Sequence, residues 1–225
     1  MSLILHIETA TKVCSVCLSK EGKLIHIVEE YSEKYIHAEK LTLLIKQLMQ
    51  EANFKLRELD AISIDKGPGS FTGLRIGVST AKGLCYALGV PLIAIDSLVS
   101  LYFGYKKIKG GITETELIIP MIDARRMEVY TAAFNNKGEF YDEIDAKIID
   151  QSFFDSFKQF NKIHVFGDGS IKIKDKFDHK NIEIYDEIIC SSEFLIPKSF
   201  NNFNNKDFVD LAYFEPYYLK DFKPN

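Results

Sequence analysis

Nine consecutive residues, Gly67-Pro68-Gly69-Ser70-Phe71-Thr72-Gly73-Leu74-Arg75, have the makeup of a loop that lets a backbone come close to something else. Gly67 and Gly69 open backbone angles that other residues resist, Pro68 fixes its own, and Ser70 or Thr72 is placed to cap a following helix. A glycine loop that feeds a helix N-terminus can attract a phosphate. The spacing meets neither nucleotide fingerprint. Gly69 and Gly73 enclose three residues where a Walker loop has four, and Leu74 stands where the lysine would be. Gly67-x-Gly69-x-x-x-Gly73 misses the dinucleotide order by one residue. Cys14-x-x-Cys17 has the spacing of half a zinc site but no second ligand pair, and a strand through Val13–Leu18 turns the two thiols to opposite faces. The reading is of structural cysteines and no metal. No His-Glu-x-x-His and no Ser/His/Asp grouping can be read from the chain, so a peptidase has no support.

The elements that position the glycine loop follow from periodicity. An apolar strand, Ala61–Asp65, enters it and a helix over 72–88 leaves it, with Gly89 as its stop. Gly73, Gly77 and Ala81 recur every four residues on that helix, where each glycine costs roughly 1 kcal/mol of propensity. Stepping 100° per residue, its apolar or small arc spans about 220°, against roughly 100° for an ordinary surface helix. One side of that arc can cover the chain's own sheet, and the excess calls for a second covering. Gly73, Leu74, Gly77, Val78 and Ala81 are the expected ridge, widened by His37, Leu41, Leu44, Ile45 and Leu48 on an amphipathic helix over 36–52. On this reading Gly77→Leu leaves a folded chain that has lost its partner.

The chain has 225 residues, a net charge of −4 and 46% hydrophobic residues, which suits one large or two small domains and argues against this chain alone gripping nucleic acid. No segment reads as a signal peptide or membrane span, so the expected location is cytoplasmic, with no membrane partner. Strands over 3–8, 13–19 and 24–31 precede the first helix, and a strand over 91–95 follows the glycine helix. A linker carries Lys106, Lys107, Lys109, Gly110 and Gly111. The order then restarts with strands over 117–123, 128–134 and 139–147, a helix near 150–160, a strand over 163–166 and a short helix. Residues 201–205 read as a polar loop, and 209–219 as a closing segment that returns to the first lobe.

Three strands, helix, strand, helix, used twice, is the pattern of the actin, sugar kinase and Hsp70 superfamily. The expected fold is therefore α/β, actin-like (ribonuclease H-like) and two-lobed, with duplicated βββαβα modules. Residues 1–104 form the first lobe, completed by 207–220, and 112–206 form the second. The two hairpins that would face a nucleotide carry Glu8 and Thr9 in one lobe and Asp123 and Arg125 in the other. Both keep an acid and neither keeps a glycine, so the cleft reads as degenerate, with Arg125 as an ion-pair residue.

Four motifs resemble those of the bacterial TsaB (YeaZ) family: Gly67–Gly77, His37-Ala-Glu-Lys-Leu41, Ile122-Asp-Ala-Arg-Arg-Met-Glu-Val-Tyr130 and Glu215-Pro-Tyr-Tyr-Leu-Lys220. Ala38 stands where a serine is usual, and Lys220 where an arginine is usual. The resemblance implies a dimerisation subunit without chemistry of its own, which binds and activates TsaD for threonylcarbamoylation of the adenosine beside the tRNA anticodon. It implies first-lobe helices packed on TsaD, or on a second copy when alone. It also implies TsaE joining the pair, tRNA met only through the complex, and ATP and a metal used by the complex rather than bound by this chain. TsaD's metal-binding His-x-x-x-His aligns with Ser97 and Leu101 here, and a leucine is no ligand. The competing reading is a phosphotransferase or ATPase of the actin-like superfamily.

Overall fold

The computed structural model describes residues 2–33, 36–174 and 180–220, in two compact units. The first comprises Met1–Ser100 and Cys190–Tyr218, the second Leu101–Ile189 and Leu219–Asn225. In the first, β1 (Leu3–Glu8), β2 (Val13–Lys20) and β3 (Lys23–Tyr31) run antiparallel, while β4 (Ala61–Gly67) and β5 (Leu92–Asp96) lie parallel to β1, in the order β3-β2-β1-β4-β5. Strand alternation sends Leu3, Leu5 and Ile7 to one face, with Val16, Leu18, Ile62 and Ile64 beside them. That face is covered by α1 (His37–Glu51) and α2 (Phe71–Leu88) through Leu41, Leu44, Ile45, Leu48, Val78 and Ala81. The Ser70 side chain accepts from Gly73 N–H at 3.2 Å and caps α2, and Gly89 ends it in the left-handed region at φ 68°.

The opposite face of this sheet is part polar. His6, Ser15, Ser63 and Asp65 lie fully buried near Ile4, Ile93 and Ile95. Its cover is α5 (Ile196–Asn204) with the 3-10 turn Ser192–Leu195 before it. Ser63 and Ser199 hydroxyls meet at 2.6 Å, and Ser15 bonds Ser192 at 2.7 Å. Residues 201–205, expected as a loop, are thus mostly the last turn of a helix whose buried face includes Ser199 and Asn202. An apolar-periodicity reading overlooks a helix that docks through hydroxyls. The same contacts place 190–206 in the first unit, whereas the sequence reading assigns those residues to the second lobe.

The second unit repeats the plan. β6 (Glu116–Asp123), β7 (Glu128–Phe134), β8 (Phe140–Ile148), β9 (Lys162–Phe166) and β10 (Ile182–Tyr185) stand in the order β10-β9-β6-β7-β8, with β9 parallel to β6. Its core joins Leu117, Ile119, Val129, Ile163 and Val165 to Phe154 of α4 (Gln151–Asp155) and Phe157. Among the described residues between β9 and β10 stands a 3-10 turn, Asp168–Lys172, where the first unit has the 18-residue α2. The expected lysine linker is instead α3 (Ser97–Lys109), with Leu98, Leu101, Tyr102 and Tyr105 buried at helical spacing. Lys106, Lys107 and Lys109 occupy its last turn, where cations favour the helix dipole.

Candidate functional site

In the first unit the glycine loop is packed against the turn after β1. A Cβ on Gly69 would lie 2.5 Å from Ala10 O, and Ser70 N–H donates to that oxygen at 2.6 Å. Gly67 has φ 104° and sits beneath Tyr217, whose N–H donates to Lys66 O at 2.7 Å. The closing segment therefore returns to β4 within this unit. Phe71 stacks on Tyr218 at 4.7 Å between ring centres, and the Arg75 guanidinium lies 5.3 Å from the Phe71 ring.

Gly73 and Gly77 face Thr9. A Cβ at either would overlap the Thr9 carbonyl oxygen or hydroxyl, and one on Gly77 would also stand 3.1 Å from Ile64 Cδ1. Thr9 cannot move aside easily, because its N–H donates to Asp65 Oδ1 at 2.8 Å. This corrects the expected partner ridge. Gly73, Leu74, Gly77, Val78 and Ala81, with His37, Leu41, Leu44, Ile45 and Leu48, are all buried in the unit's own core. His37 Nε2 lies 3.1 Å from Val13 O and ties α1 to β2, with burial holding the ring's pKa below its usual value. The small residues serve a close approach of helix to sheet, so a leucine at 77 overpacks the core. What remains of the wide α2 arc is Ile76, Thr80, Gly83 and Ala87. Gly83 and Ala87 are exposed, Ile76 and Thr80 half-buried, and a Cβ on Gly83 would meet nothing within 4 Å. Tyr86 on α2 is 85% exposed and Leu43 on α1 58%, too much apolar surface to belong to the core.

Glu8 and Thr9 are fully buried, with Ala10 N–H bonded to Glu8 Oε1 at 2.8 Å. Burial pushes the Asp65 carboxyl up to about 7, against the hydrogen bonds from Thr9 and from Ser97 Oγ at 3.4 Å. In the second unit the same relation recurs at residues the sequence reading passed over. Asp123 N–H donates to Asp168 Oδ1 at 3.0 Å, and burial raises Asp168 to about 6. Gly167-Asp168-Gly169-Ser170 stands at the end of β9 as Gly67-Pro68-Gly69-Ser70 stands at the end of β4, and Gly167 has φ 93°. A Cβ on Gly169 would lie 2.9 Å from Ile122 C, so the second Gly-x-Gly-Ser also admits the turn after a first strand. The repeat thus reaches the residues, and the shared Gly-x-Gly-Ser was its readable signal. Asp123 and Arg125 are exposed, Asp123 accepting from Arg125 N–H at 2.6 Å and from Lys172 at 2.5 Å. Arg125 and Arg126 both have left-handed backbone, at φ 68° and 50°, a conformation costing roughly 1–2 kcal/mol per non-glycine residue.

Cys14 and Cys17 lie on opposite faces of β2, both reduced and buried, and burial pushes the Cys14 thiol up to about 12. Among the described residues no three His, Cys, Asp or Glu side chains are grouped to hold a metal, and no helix is long and apolar enough to cross a membrane.

The family model described as "TsaD: tRNA N6-adenosine threonylcarbamoyltransferase" matches residues 29–205. The tRNA threonylcarbamoyladenosine biosynthesis protein TsaB of Buchnera aphidicola is 30% identical over 165 residues, 70% of this chain and 72% of that protein. The chain belongs to the TsaB (YeaZ) family. Escherichia coli TsaB is 33% identical over 131 residues, 58% of this chain and 54% of its own, so the chain spans about half the length of that relative. The structure of YeaZ from Pseudomonas aeruginosa superposes with a TM-score of 0.79 at 25% identity, covering 97% of this chain and 100% of that one. The fold is the actin-like one, shared at TM-score 0.51 and 11% identity with a polyphosphate/ATP-glucomannokinase. Within the TsaB frame, the closing-motif Lys220 reaches the Asp123–Glu128 hairpin, donating to Ala124 O at 3.4 Å and pairing with Glu128.

Proposed function

We propose that this chain is the non-catalytic subunit of tRNA threonylcarbamoyladenosine synthesis that binds and activates TsaD. Its docking surface is the outer side of α1 and α2. The observation that carries this is the unspent part of the α2 arc: Ile76, Thr80, Gly83 and Ala87, flanked by exposed Tyr86 and Leu43. Small residues there let a partner helix approach closely, and apolar burial supplies roughly 25 cal/mol per Å² before the costs of association. Without TsaD the same surface pairs two copies of the chain. TsaE joins the pair, tRNA is met in the complex, and ATP and metal chemistry belong to the partners.

The non-catalytic assignment rests on residue chemistry. Ser97 and Leu101 are fully buried, and Ser97 Oγ is committed to Asp65. The phosphotransferase reading fares worse, because Glu8 and Thr9 are sealed inside their own unit. The test is co-elution with the organism's TsaD on a sizing column, using wild type and Gly83→Arg. Position 83 has open space around it, so the variant is expected to fold, keep its melting curve and lose TsaD. Wild type that fails to co-elute removes the function. A folded Gly83→Arg chain that binds TsaD unchanged removes the surface.

A further inference from the structure

The second unit leaves a long strand edge open. β8 ends the sheet order β10-β9-β6-β7-β8, and among the described residues no strand pairs with its outer side. In the first unit the β5 edge is met at Leu92, whose carbonyl accepts from Val209 N–H at 3.0 Å. Ile149 N–H donates to Met127 O at 2.9 Å, which sets the phase of the β7–β8 ladder. Hydrogen-bonded and non-hydrogen-bonded pairs alternate along an antiparallel ladder. Val129 and Lys147 are therefore a hydrogen-bonded pair, and Ala146 and Ile148 turn their N–H and C=O groups outward. Ala146 N–H accordingly donates to the neighbouring Asp145 carboxylate, at 2.8 Å.

A cleft of about 690 Å³ lies at this edge, with β8 from Tyr141 to Ile148 on one side and α4 with Ser156 and Phe157 on the other. Its lining is partly aromatic. Phe157 stands 6.1 Å from Tyr141 and 5.5 Å from Phe153 between ring centres. Ile148 is 67% exposed and Tyr141 48%, so two large apolar side chains of the cleft stay uncovered. The rim is acidic: residues 139–150 hold five carboxylates and one lysine. Asp142 takes that lysine, Lys147, and Glu128 takes Lys220. Among the described residues no lysine or arginine pairs with Glu143, Asp145 or Asp150. Charges on an edge strand guard it against unwanted pairing. Acids guard it against a second copy of itself, because like charges on facing strands repel, and they leave it open to a basic strand.

We propose that β8 and its cleft dock a basic, extended segment of a partner protein, which joins the sheet as a sixth strand. Strand addition of this kind takes its affinity from main-chain hydrogen bonds, here to Ala146 and Ile148, and its selectivity from pockets for alternate side chains. Asp145 stands on the opposite face of β8 from Ala146 and Ile148, so a strand that alternates basic with apolar residues meets both. Charge complementarity chooses this occupant over a second copy of the chain. The inference does not depend on TsaD binding.

The test uses the full chain and a short fluorescein-labelled peptide that alternates lysine with valine, followed by anisotropy. Wild type is expected to bind it saturably, and not to bind the same peptide methylated at every backbone nitrogen. Ala146→Pro removes an outward N–H that β7 does not use, so the fold keeps its ladder. It is expected to weaken the lysine peptide roughly threefold to tenfold, the scale of one hydrogen bond. E143K/D145K is expected to weaken it by roughly tenfold, two exposed attractions turned to repulsion, and to gain a peptide alternating glutamate with valine. If Ala146→Pro melts early, the methylated peptide and the charge reversal decide. Wild type that ignores the lysine peptide, or binds its methylated form equally well, overturns the proposal. So does spermidine binding as tightly as the peptide, which makes the cleft a small-cation site. A dimer in sedimentation that Ala146→Pro dissolves also overturns it, because the edge then belongs to a second copy.

Discussion

Alanine at two glycines of α2 should have opposite effects, although the helix and the substitution are the same. At Gly83 the new methyl meets nothing within 4 Å, and the helix gains roughly 1 kcal/mol of propensity. At Gly77 the same gain is set against a methyl that overlaps the Thr9 hydroxyl and stands 3.1 Å from Ile64 Cδ1 and 3.2 Å from Thr9 Cβ. Thr9 is short, β-branched and tied by its N–H to Asp65, so relief must come from the backbone. Overpacking of this kind costs roughly 1–3 kcal/mol. The propensity gain is common to both sites and cancels in the comparison. Gly83→Ala should therefore exceed Gly77→Ala in stability by about 1–3 kcal/mol. For a chain of this size that is roughly 2–4 °C in Tm per kcal/mol, measured by urea titration and thermal melting. Thr9→Ala in the Gly77→Ala background should recover part of the loss, because the clashing hydroxyl is gone. The reasoning fails if Gly77→Ala is as stable as Gly83→Ala, or if the two substitutions at 9 and 77 are additive.

Two further outcomes follow from buried groups. Asp65 has its folded pKa raised to about 7, so the folded state holds its proton more tightly than the unfolded one. Its contribution is fully present below the unfolded value and is lost as pH rises through about 7. Buried His6, lowered to about 3, acts oppositely, weakening the fold as pH falls below about 6.5. Asp65→Asn keeps an acceptor for Thr9 N–H and should gain stability relative to wild type at pH 8 compared with pH 5. Denaturation curves giving the same difference at both pH values would contradict the burial argument. All four cysteines are buried thiols, and Cys14 and Cys85 are pushed up to about 12 by burial. None should react with an aromatic disulfide reagent until the chain unfolds; rapid labelling of Cys14 or Cys17 in the native protein would show that β2 is open.

Much of this molecule is local and was therefore readable in the sequence. Period-two strands, the 36–52 helix, Ser70 as a cap and Gly89 as a stop depend on near neighbours, and β1, β7 and α2 fall within a residue of expectation. The duplicated order and four motifs were enough for the family. Even Gly-x-Gly-Ser, repeated after β4 and β9, was visible, though it carries no periodic signal. What the sequence could not decide is which part of a wide apolar arc its own chain would use. Gly77 meets Thr9, 68 positions away, and Gly73 meets the same residue, so the glycine ridge faces inward and Ile76, Gly83 and Ala87 are left on the outer side. For the same reason the Glu8 and Asp123 hairpins, alike in type, have opposite fates. A long helix follows one loop and, among the described residues, a 3-10 turn follows the other; the first hairpin is buried and the second presents two arginines. Docking of α5 through Ser199 was equally out of reach, because a serine's burial is decided by the hydroxyl it meets rather than by its own type.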